Sequence, residues 1–118
     1  MKKFIWTILL ILSFNFIEAQ IPKSGTYIYK ISFAESNGKL TGAKCKVIID
    51  NNKIKIINIG EKLSGKKGEV ITEGIIMKHK SGKWIIGKDK KDKNAKEIGG
   101  CTNGPIEIDF KNMIIWLC

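Results

Sequence analysis

One histidine, three cysteines and two closely spaced carboxylates are the side chains of this chain best suited to chemistry. His79 is the single imidazole, so a His–Ser or His–Cys nucleophile pair would have to include it. It stands just before a Ser81-Gly82 turn, and a two-residue turn there sets it across from Trp84. That placement makes it a hairpin-end histidine covering an indole, with no motif that would make it a base. Glu107 and Asp109 lie two residues apart on one strand face, the arrangement paired acid–base work requires. Trp116 and Ile114 stand opposite them, and a carboxylate pair beside an indole suits a sugar. The same pattern describes the solvent side of an exposed hairpin. No catalytic residue is assigned, and a hydrolase using Glu107 and Asp109 ranks last among the functional readings.

The cysteines are Cys45, Cys101 and Cys118. A zinc site needs about four Cys or His ligands at short spacings. The chain has no CxxC and its ligands lie far apart, so no metal ligand is assigned. A disulfide is the first expectation for an exported chain. The last hairpin brings Cys118 beside Pro105, only four residues after Cys101. Gly99, Gly100 and Gly104 give that stretch room to turn back within bonding reach. Cys101–Cys118 is therefore the expected pair, with Cys45–Cys101 and Cys45–Cys118 as competitors. Cys45 alternates with Val47 and Ile49 and reads as a small apolar core residue. The glycines around Cys101 do not make a phosphate cradle, because a strand follows them after Pro105 and not a helix.

The elements that would hold these residues are strands. Turn signals recur at short intervals with β-branched runs between them, the pattern of an all-β chain. Strands are expected over residues 26–34, 43–50, 53–59, 69–80, 83–87, 106–110 and 113–118. In the first, Tyr27, Tyr29, Ile31 and Phe33 share one face, with Lys30 and Ser32 on the other. Ser36-Asn37-Gly38-Lys39 turns the chain, and residues 60–68 form a polar connection. Asn51-Asn52 suits a two-residue type I′ hairpin. Its register pairs Ile49 with Ile54 and Val47 with Ile56, all on one face. Ser81-Gly82 pairs Met77 with Ile86, and Lys111-Asn112 pairs Ile108 with Ile115 and Ile106 with Leu117. Residues 88–96 are densely charged and have room for a turn or two of exposed helix. A connection as long as 88–104 in a small domain is functional or mobile. The expected fold is all-β, an antiparallel meander of about seven strands, closed as a small barrel or packed as a two-layer sandwich.

Residues 1–19 read as an address. Lys2 and Lys3 precede an apolar run from Phe4 to Ile17, and Ala19 supplies the small residue before a cut. The run is shorter than the roughly 20 residues a spanning helix needs. A signal peptide over 1–19 leaves a single small domain over 20–118, exported to the periplasm or secreted, with no transmembrane segment of its own. The formal charge is +10, and loss of Lys2, Lys3 and Glu18 with the leader leaves +9. All 21 basic residues are lysine. Specific nucleic-acid recognition leans on the planar fork of arginine, so it is not expected here.

Two binding readings remain. Tyr27, Tyr29, Phe33 and Trp84 form an aromatic set that a barrel could turn toward a small apolar ligand. Lys88, Lys90, Lys91, Lys93 and Lys96 form a basic loop that could meet anionic lipid or polysaccharide. The arrangement resembles lipocalin-type barrels: an exported chain, Gly25 before the aromatic strand that carries Tyr27, a meander, and a late cysteine. That resemblance implies a closed barrel, and fold alone does not give function; no cofactor is expected. The leading expectation is thus non-covalent binding of a small apolar ligand or a surface partner, and the alternative is the lysine-rich loop on an anionic surface.

Overall fold

Alternation of β-branched with polar residues produces seven strands: β1 (Gly25–Phe33), β2 (Leu40–Asp50), β3 (Lys53–Asn58), β4 (Val70–Lys78), β5 (Trp84–Gly87), β6 (Ile106–Asp109) and β7 (Ile114–Leu117). A 3₁₀ helix, Lys90–Asn94, interrupts the long connection after β5. The computed structural model describes residues 20–34, 37, 40–60 and 65–118. The expected signal peptide over 1–19 lies outside the described residues. So do all but Asn37 of the Ser36-to-Lys39 turn and four residues of the 60–68 connection.

The strands close into a barrel in chain order, β1 through β7 and back to β1. Of the two architectures left open by the pattern, the barrel forms. Sequential neighbours are antiparallel, as the short turns require. The seam is the exception: β1 and β7 pair in parallel, Ile31 opposite Ile115 and Phe33 opposite Leu117. A purely antiparallel meander is therefore corrected at this point. Seven is an odd number, so the first and last strands of an up-and-down order run the same way.

Inward positions follow the period of two. Tyr29 and Ile31 from β1, Cys45, Val47 and Ile49 from β2, and Ile54 and Ile56 from β3 are buried in one cluster. Ile76, Ile86, Ile108, Phe110 and Ile115 complete it from the other strands and the last turn. A barrel of this strand number is narrow enough for side chains to fill. The β2–β3 hairpin has the expected register, Ile49 with Ile54 and Val47 with Ile56. Its turn differs: Asn51 takes φ 57° while Asn52 is not at positive φ, so it is not type I′.

The β4–β5 register is a correction. Met77 pairs with Ile85 and Lys78 with Trp84, while Ile76 faces Ile86. His79 is not in the ladder. The Gly82 N–H donates to the His79 carbonyl (2.8 Å) and the His79 N–H to the Lys83 carbonyl (2.8 Å). Gly82 at φ 91° supplies the left-handed residue that this wider turn needs. The turn thus holds one more residue than expected, and the slip sends Met77 and Ile85 to the outer face.

Where β4 and β5 cross most closely, glycine is required for space. A Cβ on Gly74 would lie 2.4 Å from the Gly87 carbonyl oxygen and 3.0 Å from the Ile86 side chain. The first contact is with backbone, which cannot rotate away. Gly74→Ala should therefore cost about 1–3 kcal/mol, the usual penalty of overpacking. Gly25→Ala, whose Cβ would meet nothing nearer than 3.8 Å, should stay within about 0.5 kcal/mol of the parent. Urea denaturation of the two variants checks the contrast.

Candidate functional site

The connection from β5 to β6, residues 88–105, runs out and back across the outside of the barrel. It leaves β5 at Gly87, where the Asp92 carboxylate accepts N–H bonds from Lys88 (2.7 Å) and Asp89 (3.2 Å). A Cβ on Gly87 would collide with the Met77 thioether and stand 3.2 Å from that carboxylate. The absent side chain is what lets the loop lie down on β4 and β5. Asp89 caps the 3₁₀ helix by accepting the Lys91 N–H at 3.0 Å, a reciprocal capping box with Asp92.

The loop is then pinned at the opposite end of β5. His79 Nε2 donates to the Ala95 carbonyl (2.7 Å), while Nδ1 accepts the Ser81 N–H (3.1 Å) and meets the Ser81 hydroxyl (2.9 Å). This bonding selects the Nε2–H tautomer. The Lys80 N–H adds a bond to the Lys93 carbonyl (2.9 Å). His79 is buried and does not lie across from Trp84; the indole instead sits beneath the Lys78 ammonium, 5.4 Å from the ring centroid. The expectation that His79 covers an indole is corrected, because the wider turn takes it out of the ladder and aims it at the loop.

From Ala95 the chain returns to the barrel's seam. Gly99 packs over Glu107 on β6, and Gly100 lies against Ala34 after β1. Cys101 then bonds Cys118 with a Cα separation of 4.5 Å, the pairing expected from the glycines and the last hairpin. The closed loop of 17 residues contributes roughly 3 kcal/mol on the chain-entropy account. Beneath this out-and-back path, Met77 and Ile85 point away from the barrel interior yet are 7% and 0% exposed. The loop therefore roofs a second, outer core. Sequence reasoning missed it, although the apolar runs Ile75-Ile76-Met77 and Trp84-Ile85-Ile86 carried the signal of strands covered on both faces.

The basic loop residues are presented outward by this framework. Asp89 and Asp92, the two acids among residues 88–96, turn their carboxylates to backbone N–H groups. Among the described residues, Lys55 pairs with Glu73 (3.8 Å) and Lys83 with Glu107 (3.6 Å), and no ion pair involves Lys88, Lys90, Lys91, Lys93 or Lys96. The 3₁₀ helix buries none of its residues.

The aromatic set is brought together only in part. Tyr27 and Tyr29 meet edge to face at 6.4 Å, Tyr29 meets Phe110 at 6.5 Å, and Trp84 meets Phe110 at 5.9 Å. Phe33 packs on the core near the other end of β1, beside Leu117. The Tyr27 hydroxyl donates to the Lys23 carbonyl. Burial pushes the Tyr29 phenol up to about 12, with Tyr27, Asp109 and Cys45 adding to the rise. Burial likewise pushes the Cys45 thiol from 9.0 to about 12, and the thiol donates to the Tyr29 carbonyl (3.8 Å). Cys45 is unpaired and buried, as its alternation with Val47 and Ile49 indicated.

The carboxylates singled out on β6 have structural bonds. Asp109 accepts from the Asn112 N–H (3.0 Å) and side-chain amide (2.8 Å), closing the last turn. Glu107 pairs with Lys83 under the Gly99 backbone. Comparison with protein-family models, curated proteins and solved structures finds no match, so the chemistry of the residues carries the functional reading.

His79→Ala removes the side-chain bonds to Ala95 and Ser81 and should cost about 1–3 kcal/mol, the price of leaving buried partners unpaired. Amide exchange at Lys80 should accelerate well beyond that in β2 and β3. Cys45 sets a second expectation. Its raised value means that the unfolded chain ionises before the folded one. The stabilisation is fully present below pH 9 and is lost as pH rises from 9 toward 12, at about 1.4 kcal/mol per pH unit for one group. Denaturation midpoints across that range should fall less steeply in Cys45→Ala, and a thiol reagent at pH 8 should label Cys45 only after unfolding.

Proposed function

We propose that this chain is an exported, non-catalytic binding domain that meets an anionic lipid surface through the lysines of its β5–β6 loop. The observation that carries the reading is the self-capping of the 3₁₀ helix. Its two aspartates are spent on backbone N–H groups, and the His79 and Lys80 bonds hold the segment against the barrel. Lysine ammoniums are thereby left facing solvent on a fixed platform. A mobile basic loop would lose more ordering entropy on contact than this one does.

An apolar ligand inside the barrel is the competing reading, and the interior offers it less support. The inward positions are occupied by the Ile-rich cluster, and Tyr29, one of the four aromatic residues assigned to such a ligand, is 1% exposed and packed ring to ring with Phe110. Lipid is favoured over polysaccharide because Ile75, 39% exposed, adjoins the basic loop on the outer face. Apolar surface beside cations suits an interface of headgroups and chains better than a fully hydrated polymer.

Each lysine near an anionic leaflet contributes about 1 kcal/mol. A Lys90→Gln, Lys91→Gln, Lys93→Gln triple variant should thus partition onto phosphatidylglycerol-containing vesicles roughly a hundredfold more weakly than the parent. Parent binding should collapse at about 1 M salt, where screening extends over only about 3 Å. Vesicle co-sedimentation measures both, and equal partition of parent and variant would sink the proposal.

A further inference from the structure

The roofing loop does not lie flush with the sheet along its whole length. β3 begins at Lys53, opposite Ile75, and the Ile76 N–H makes a last bond to the Asn52 carbonyl (2.7 Å). Beyond that point β4 continues without its β3 neighbour. The 3₁₀ helix stands on the far side, and between them is a groove of about 480 Å³. This lies within the roughly 300–1,000 Å³ range of small-molecule sites.

The two walls differ in chemistry. Ile75 and Met77 form the sheet wall, with Ile76 between them turned to the barrel core, while Lys88, Lys90 and Lys93 rise from the loop wall. Asp89 also lines the loop wall; its carboxylate accepts the Lys91 N–H and keeps its charge, but the three lysines outnumber it. Asp92, which could have neutralised the lysines, is turned to the backbone at Lys88 and Asp89. The result is a half-open apolar slot with cations along one rim. Charge complementarity calls for an anion, and the sheet wall calls for a hydrocarbon attached to it.

We propose that this groove holds one single-chain anionic lipid, its acyl chain along Ile75 and Met77 and its acidic headgroup among Lys88, Lys90 and Lys93. The inference rests on the reading that the basic loop meets anionic lipid, and goes beyond it by assigning a stoichiometric site. A diffuse basic surface responds to the summed charge of a membrane. A site responds to one molecule, and requires chain and headgroup together.

The test uses the mature protein with palmitoyl-lysophosphatidylglycerol below its micelle concentration, followed by calorimetry and native mass spectrometry. One lipid per chain is expected. Palmitoyl-lysophosphatidylcholine, with the same chain and no net charge, should bind at least tenfold more weakly. Glycerol phosphate, with the charge and no chain, should give no saturable binding. Ile75→Gln should weaken the anionic lysolipid at least fivefold; the residue points outward, and circular dichroism verifies that the fold is kept. Equal affinity for the two lysolipids, or unchanged affinity in Ile75→Gln, overturns the site. Loss of the lysolipid signal with salt-sensitive vesicle binding intact also overturns it while leaving the surface reading standing. Failure of the protein to bind either vesicles or lysolipid removes both.

Discussion

Closure of the barrel at β1 and β7 is the constraint on which the rest of the structure depends. An open seven-strand sheet would present two rows of unpaired N–H and C=O groups. Joining its ends removes both, and the odd strand number makes the joint parallel. Parallel pairing is slightly weaker per residue than antiparallel, and the seam here spans only Lys30 to Phe33 against Ile114 to Leu117. The Lys30 N–H extends it by one bond to the Met113 carbonyl (2.9 Å). The Cys101–Cys118 disulfide lies just past the end of β7 and ties that end to the long loop. Gly100 of the same loop rests on Ala34, just past the end of β1. Covalent and packing restraints thus converge on the parallel seam that closes the barrel.

The second consequence of closure is where the remaining chain can go. With the interior filled by side chains, the 18 residues between β5 and β6 must lie outside. Backbone polar groups in such a segment need partners when it is pressed onto apolar surface. Asp89, Asp92, Thr102 and His79 supply them: Thr102 alone donates to the Gly99 carbonyl (2.8 Å) and accepts the Gly104 N–H (3.2 Å). Satisfying the loop's backbone with its own acids is also what leaves its lysines unneutralised. Packing and surface electrostatics are two results of one arrangement.

Particular residues show how far the pattern could be read. The β2–β3 and β6–β7 hairpins were legible because a short turn and one apolar face agree on the register, and any slip would bury lysine or acid. The Cys101–Cys118 pair was legible for a similar reason: the last hairpin sets Cys118 beside Pro105, and glycines allow the return. The β4–β5 hairpin misled. Ser81-Gly82 looks like a two-residue turn, but Gly82 serves as the left-handed residue of a wider one. Apolar residues on both faces of these strands then removed the check that a one-sided strand provides. Ile76 and Met77 satisfy burial in either register once a roof exists, and nothing local announces the roof.

The order of the strands, the inward faces of β1, β2 and β3, the basic character of the loop and the favoured partner of its cysteine were determined by the sequence alone, because each follows from period, turn chemistry or short chain distance. Closure as a barrel, the parallel seam, the burial of Met77 and Ile85 beneath residues 88–104, and the latch from His79 to Ala95 were decided only in three dimensions. They join residues through the shape of the whole sheet. The curvature that brings β7 to β1 is summed over seven strands, and the groove beside β4 exists only because β3 starts at Lys53 while the loop is held one strand away.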